Sequence, residues 1–397
     1  MRGTTTTPAG ERHGPLLAMF ALGHMANDWA PGAMWIIAPA IAAAMGLTPA
    51  EIGILFAIKG TGAALAFLPA GVLADRVANR GGLLLATFWW VAIGYFVASL
   101  APGFWSLALL LALANVGDAA WHPVATGVLA QRMPNRRAQA LGIHAVGGTL
   151  AEVLAPLATG FLLIFVDWRQ AIMLAGVPAL LMGLVFIRYA ASVPRSDEVA
   201  ISRADFGQLL RVWRGREGLG MIAMVGAYSM ALMAALSMTP LFLIEVHGAS
   251  VATAGVVFAA MSLLGAIAQP VLGRLSDAIG RRPLFIAGNA IAALAAVVVV
   301  LAPGLAVAVP ALIVAVGVLV GVRSCVLAAA VELSAKREAT TLGFTFSLMD
   351  GLGALGALVA GAVGNIDLRY AFLVTAVLAA AAAVTALAMR FGATGAR

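Results

Sequence analysis

The chain has 397 residues, of which 62% are hydrophobic and only 10% are charged, and its formal net charge is +7. An ordinary soluble domain is about 45–50% apolar and about 25% charged, so this composition excludes a soluble globule. The basic residues lie in the breaks between apolar stretches and form no helix face or long run, which excludes a nucleic-acid partner.

The apolar stretches predict twelve transmembrane helices, because each membrane-spanning helix needs about 20 apolar residues. Residues 1–14 are polar and lack the apolar core and cleavage site of a signal peptide, so we expect a cytoplasmic N-terminal tail. The predicted spans are 15–44, 51–74, 81–100, 104–131, 139–166, 168–192, 217–246, 252–275, 283–302, 305–334, 340–364 and 367–390. A short tail at 391–397 follows the last span.

A charged break at 193–216 divides these spans into an N-terminal half, 15–192, and a C-terminal half, 217–390, and we interpret it as a cytoplasmic linker. The halves resemble each other, since Asp167-Trp168-Arg169 recurs 200 positions later as Asp367-Leu368-Arg369. Parallel six-span repeats place a substrate site between the halves, near the bilayer midplane. The side that carries the termini collects 20 of the 24 Lys and Arg residues. The positive-inside rule therefore predicts a multi-pass protein of the inner (cytoplasmic) membrane with both termini in the cytoplasm.

A charged motif with a glycine follows the second and the eighth predicted spans. The two copies consist of Gly71, Asp75, Arg76 and Arg80, and of Gly273, Asp277, Arg281 and Arg282. Glycine permits close helix approach, and an Asp–Arg pair at the cytoplasmic mouth can latch one conformation. The alternative is two ordinary charged loops. The first copy resembles the signature Gly-x-x-x-Asp-Arg-x-x-x-Arg of major facilitator transporters. This resemblance implies the major facilitator fold, an all-α membrane protein of twelve transmembrane helices in two pseudo-symmetric six-helix halves.

Several patterns in the N-terminal half are similar to the fosmidomycin-resistance branch of drug exporters. They are His24-x-x-Asn27-Asp28, Gly117 with His122-Pro123, and Gln139-Ala140 followed by Val146-Gly147-Gly148 and Pro156. The resemblance implies a proton antiporter that exports a drug or metabolite by alternating access. Proton-coupled uptake of a small organic anion such as a carboxylate is the alternative, because the sequence does not specify direction.

Nine ionisable side chains fall inside the predicted spans and away from their ends, where a charge costs about 2.5–3.5 kcal/mol and usually faces a functional cavity. They are His24, Asp28, Lys59, Asp118, His122, His144, Glu152, Arg323 and Asp350. The third, sixth, ninth and twelfth spans contain none of them. In the major facilitator arrangement those four spans are peripheral and the other eight line the cavity. The distribution therefore predicts a central polar site.

The spacing of the acids and histidines indicates proton coupling. Asp28 and Asp118 lie near the middle of their spans, and each shares a helix face with a histidine four positions away. A carboxylate beside an imidazole in a partly dry cavity is suited to exchange protons near neutral pH. We predict that the proton-coupling residues are Asp28, Asp118, His122 and Glu152. The alternative for each pair is a hydrogen-bonded contact that ties two helices together.

The predicted substrate-binding residues are Lys59, Arg323, Asp350, Trp35, Trp121 and Tyr228. Lys59 and Arg323 are explained equally well as partners of buried acids, Lys59 with Asp28 for instance, or as clamps for an anionic group. Tryptophan and tyrosine also occur in interfacial belts and in helix packing. The expected partners are a small organic solute, protons and the lipid bilayer, and we expect a monomer.

Other protein classes compete with a transporter. An integral membrane enzyme would use His24, Asp28, Asp118 and His122 as metal ligands, but they come from separate helices without a motif such as His-Glu-x-x-His. We therefore expect no enzyme, no metal site and no cofactor. Cys325 is the one cysteine and lies in an apolar run, so it forms no disulfide framework. A receptor or assembly factor on the same fold would not need the coupling acids.

Overall fold

The computed structural model describes residues 13–133, 136–193, 203–334 and 338–389, and the elements in these ranges are α-helices. They are α1 (His13–Met45), α2 (Pro49–Arg76), α3 (Arg80–Ser99), α4 (Phe104–Arg132), α5 (Arg137–Leu162), α6 (Trp168–Ala175), α7 (Val177–Ala190), α8 (Arg203–Arg214), α9 (Arg216–Glu245), α10 (Val251–Ile279), α11 (Arg281–Leu301), α12 (Leu305–Ser334), α13 (Glu338–Gly364) and α14 (Arg369–Ala388). The predicted tails, apart from residues 13 and 14, lie outside the described residues.

Eleven segments of these helices are long and apolar enough to cross a membrane. The first predicted span is the remaining one: α1 has 33 residues, enough to cross, but His24, Asn27 and Asp28 interrupt its apolar sequence. The predicted all-α membrane fold is therefore confirmed. Because the described helices cross an even number of times, the start of α1 and the end of α14 lie at the same end of the bundle, which we call the end that carries the termini.

Two helix boundaries differ from the prediction. The sixth predicted span consists of α6 and α7, which meet at Gly176. Pro178 lies in the first turn of α7 and has no backbone N–H with which to continue the hydrogen bonds of α6. The predicted linker contains α8, whose Trp213 is buried and packs edge-on against Phe344 at a centroid distance of 5.0 Å. The charged residues of this segment hid the helix from sequence analysis.

The two halves repeat the same contacts at the end that carries the termini. Arg80 donates from Nη1 to Oε1 of Gln131 at 2.6 Å in the N-terminal half. Arg281, 201 positions later, donates from Nε to Oε1 of Glu332 at 3.0 Å, and Glu332 is also 201 positions after Gln131. The repeat thus extends from the sequence motif to the partners of its arginines.

A second pair of equivalent contacts lies inside the bundle. Asn27 on α1 donates to the backbone carbonyl of Asp118 on α4 at 3.2 Å. Tyr228 on α9, 201 positions after Asn27, donates to the carbonyl of Leu319 on α12 at 2.7 Å, and Leu319 is 201 positions after Asp118. The same spacing therefore relates helix pairs in the membrane core, and equivalent residues of the two halves can be identified from it.

The predicted motif residues differ in what they contact. Arg281 forms an ion pair with Asp277, as expected of a latch, and Arg282 donates to carbonyl oxygens at the end of α14. The glycines do not mark a tight crossing here, because a Cβ at Gly71 or Gly273 would find its nearest neighbour at 3.8 and 3.7 Å. Arg76 is exposed, and the side chain of Asp75 lies outside the described residues.

The halves are in closest contact at the end opposite the termini. A Cβ at Gly53 of α2 would lie 2.5 Å from the carbonyl oxygen of Ala357 and 3.0 Å from Cα of Gly361, both on α13. A Cβ at Gly160 of α5 would lie 3.1 Å from Cα of Gly255 on α10. Glycine is needed where two helix backbones approach so closely. These crossings bring the two halves together at this end.

Candidate functional site

An aspartate bound by two histidines lies in the middle of the N-terminal half. Oδ2 of Asp28 is 3.2 Å from Nε2 of His24, one turn earlier on α1, and its Oδ1 is 3.8 Å from Nε2 of His122 on α4. The side chains of Asp28 and His122 are 20% and 24% exposed, although both lie deep inside long helices. Both side chains therefore border open space, although Oδ1 of Asp28 is itself buried.

A third histidine fixes the orientation of the first. Nδ1 of His24 is 2.8 Å from the backbone carbonyl of His144 on α5, and the two rings stack at a centroid distance of 4.2 Å. A carbonyl oxygen only accepts hydrogen bonds, so Nδ1 of His24 carries the proton and donates. This leaves Nε2 of His24 directed at Asp28. His144 was identified from the sequence as ionisable, but its role in positioning His24 required the structure.

The same group of side chains has the spacing of a metal site. The ligand atoms of His24, Asp28 and His122 all lie within 4.8 Å of one another, and they form the one such group in the described part of the chain. Two imidazoles and one carboxylate are ligands that suit zinc and similar ions. The arrangement is also that of a proton relay, in which two imidazoles share one carboxylate. The expectation of no metal site stays a prediction.

Asp118 does not pair with His122, although the sequence spacing favoured that contact. Its Oδ1 instead accepts a hydrogen bond from Nδ2 of Asn27 at 2.9 Å. His122 points to Asp28, the residue that follows Asn27 on α1. Asn27 and Asp28 are adjacent on α1 and contact Asp118 and His122 of α4, respectively. Asp118 and His122 therefore do not contact each other.

Lys59 of α2 lies among acids without contacting one. Its side chain is buried, and no carboxylate of the described residues lies within the 4.0 Å of an ion pair, so the suggested pair with Asp28 is not formed. The ammonium is 5.9 Å from the ring centroid of Trp35. Asp118, Asp350 and Asp28 are its electrostatic neighbours. Asp350 comes from α13, so Lys59 lies between acids of both halves.

One ion pair between described residues joins the two halves. Nη1 of Arg323 on α12 is 3.2 Å from Oε1 of Glu152 on α5. The side chains are 28% and 38% exposed, so the pair borders the space between the halves instead of being sealed in a core. Arg323 is 201 positions after His122, and the repeat therefore makes the two residues equivalent. Sequence analysis identified both charges but not this contact, which depends on how the halves face each other.

The predicted aromatic residues separate into two groups. Trp35 stacks on Phe56 of its own half at 4.5 Å and on Phe258 of α10 at 5.8 Å, so it bridges the halves beside Lys59. Trp121 is fully buried in a cluster with phenylalanines of α1, α3 and α7, and its assignment to substrate binding stays a prediction. Tyr228 is also fully buried, and its hydroxyl hydrogen bond ties α9 to α12.

The chain matches known membrane transporters along most of its length. The sequence model described as "Major Facilitator Superfamily" matches residues 20–354 and 221–394. The "Probable 4-methylmuconolactone transporter" of Cupriavidus pinatubonensis is 27% identical over 366 residues, which cover 86% of this chain and 84% of that protein. A "Probable sugar efflux transporter" of Helicobacter acinonychis is 26% identical over 163 residues, 41% of each chain.

A solved structure shares the fold. The crystal structure of a bacterial homolog to the human lysosomal transporter Spinster, in an inward-facing and unoccupied conformation, aligns with a TM-score of 0.79. The alignment covers 97% of this chain and 100% of that chain at 20% sequence identity. At this identity the similarity shows the fold alone.

Proposed function

The chain belongs to the Major Facilitator Superfamily and is a multi-pass membrane transporter of small solutes, not an enzyme, and from this premise we propose that it couples solute movement to protons. In this proposal the two halves tilt around the central site and expose it alternately to the two sides of the membrane. The solute is a small organic compound. The proton-coupling residues are Asp28, Asp118, His122 and Glu152.

The observation that carries proton coupling is the charge imbalance within the central site. The central site contains four carboxylates and two side chains with a fixed positive charge: Asp28, Asp118, Glu152 and Asp350 against Lys59 and Arg323. Removing an uncompensated ion from water costs several kcal/mol, so a membrane interior does not hold two excess negative charges. Protons on the acids or on the three nearby histidines supply the balance. Exchangeable protons at a solute site are what coupling requires.

Orientation and direction complete the proposal. We infer from the positive-inside pattern that the termini are cytoplasmic and that the protein resides in the inner membrane. The end at which the glycine crossings lie is then the outer end, and the central site faces inward. We favour export by proton antiport, supported by the resemblance of the N-terminal half to the fosmidomycin-resistance branch and by the similarity to a probable sugar efflux transporter. Uptake of an organic anion is the second candidate, which Arg323 favours.

Solute accumulation in proteoliposomes tests the proposal. Purified protein is reconstituted, a compound library is supplied outside, and the trapped compounds are identified by mass spectrometry under a proton gradient of either sign. We expect at least one compound to accumulate in a manner abolished by a proton ionophore. The sign of the driving gradient separates antiport from symport. Accumulation that is the same with either gradient and with the ionophore would contradict proton coupling.

A further inference from the structure

Two residues at equivalent positions of the two halves indicate the chemical class of the solute. Arg323 and His122 are 201 positions apart, lie on the equivalent helices α12 and α4, and are 28% and 24% exposed. We propose that the transported solute is an organic carboxylate whose carboxyl group binds Arg323, with His122 on the opposite side. This inference rests on the proposed transport function and specifies the solute for the same central site.

The guanidinium of Arg323 is only partly used by the protein. Its Nη1 donates to a single oxygen of Glu152 at 3.2 Å, the hydroxyl of Tyr228 is a second neighbour of the guanidinium, and Nε is buried without an acceptor among the described residues. An arginine side chain presents five N–H groups in a fork that matches both oxygens of a carboxylate. The hydrogen bond to Glu152 therefore leaves other N–H groups of Arg323, with which a solute carboxylate can form two hydrogen bonds.

The fixed charge of Arg323 favours an anion over a cation as the solute. The guanidinium remains charged at every physiological pH, whereas a protonated carboxylate carries no charge. A lysine, Lys59, lies in the same site without a carboxylate within 4.0 Å among the described residues. Once protons balance the excess acids, the permanent recognition elements that remain are cationic.

The carboxylate of Glu152 occupies the place at Arg323 that the carboxyl group of the solute takes in this proposal. It comes from the N-terminal half, whereas Arg323 belongs to the C-terminal half, so their contact holds the halves together at the central site. A solute carboxylate that binds Arg323 displaces Glu152 and breaks this contact. Solute binding thereby releases one restraint on the tilt of the halves. His122 is held in the same way by Asp28 at 3.8 Å.

Ligand binding to the purified full-length protein tests this proposal. The probes are benzoate, nicotinate and glucuronate, each compared with its neutral counterpart benzamide, nicotinamide or glucose, with affinities from isothermal titration calorimetry. We expect at least one carboxylate to bind roughly tenfold or more tightly than its counterpart. Arg323→Gln should weaken that binding by a similar factor, and Arg323→Lys by less. Glu152→Gln should strengthen it several-fold, because the internal competitor for Arg323 is removed.

Two further variants keep the test decisive. Arg369→Gln removes an arginine that pairs with Asp367 outside the central site and should leave the affinity unchanged. The double variant Glu152→Gln/Arg323→Gln removes both charges of the pair, so it should fold even if Arg323→Gln leaves Glu152 unpaired and misfolds. The double variant should not bind the carboxylate.

Any of three results would overturn the proposal: none of the carboxylates binds, the neutral counterparts bind equally well, or Glu152→Gln weakens binding. If no carboxylate binds while another compound accumulates under a proton gradient, only this inference is lost. If carboxylates bind but accumulate independently of protons, only the coupling proposal is lost.

Discussion

Replacing Gly53 with leucine should abolish transport while the protein still inserts and folds. In the described conformation a Cβ at this position would already lie 2.5 Å from the carbonyl oxygen of Ala357, and a leucine adds three more carbons toward α13. The two helices would have to separate, so the end opposite the termini could no longer close. Alternating access requires that each end close in turn, and solute flux should fall to the level of protein-free vesicles.

The distance between the halves tests this expectation directly. Spin labels at Ala44 and Ile366, exposed residues of opposite halves at that end, report the separation by double electron–electron resonance in a background with Cys325 replaced by alanine. Gly53→Leu should remove the shorter distances seen in the parent. Gly304→Leu is the matched control, because a Cβ at Gly304 has no neighbour within 4 Å. An unchanged distance distribution and normal flux in Gly53→Leu would show that the crossing does not close the transport path.

Replacing Asp28 or Asp118 with asparagine should eliminate proton-driven accumulation. Asparagine retains the size and one oxygen acceptor of aspartate but cannot bind and release a proton. At position 118 that oxygen still accepts from Asn27, so the contact between α1 and α4 persists. At position 28 the ion pair with His24 is lost, but a hydrogen bond to the imidazole remains available. Loss of coupling is therefore expected without loss of the fold.

Uptake and exchange assays separate coupling from folding. Each variant should lose accumulation under a proton gradient, down to the level obtained with an ionophore, and at least one should still move solute down its own gradient. Asp367→Asn is the control, since Asp367 caps a helix at the end opposite the termini, away from the central site. If Asp28→Asn and Asp118→Asn both accumulate solute like the parent, these residues are not proton carriers.

Much of the fold could be predicted because its signals are local. Apolar stretches predicted all twelve spans, including the first, which the polar residues of α1 did not hide, and eleven of the described segments are apolar enough to cross a membrane by that criterion alone. The sixth span was predicted as one helix, although Val177-Pro178 after Gly176 was a visible reason for a break. The repeat offset of about 200 positions was also visible, through the glycine motif and the turns at Asp167 and Asp367.

The contacts of the central site could not be predicted to the same degree. Sequence spacing places Asp118 and His122 on one face of α4. Only the packing of α1 against α4 shows that His122 contacts Asp28 and that Asn27 contacts Asp118. The Arg323–Glu152 pair depends on the relative position of two halves that are separate in sequence. Trp121 is of a residue type that can line a pocket, and its burial follows from neighbours on three other helices.

The central claim is that protons and solute move through the same site in a linked manner, and a pH measurement inside proteoliposomes tests it most directly. A trapped fluorescent pH indicator is followed when an identified solute is added outside, without an imposed gradient. We predict a pH change of the lumen that starts with solute entry, disappears with a proton ionophore and is absent in Asp28→Asn and Asp118→Asn. Solute entry at the parent's rate with no change in lumenal pH would contradict the proposal.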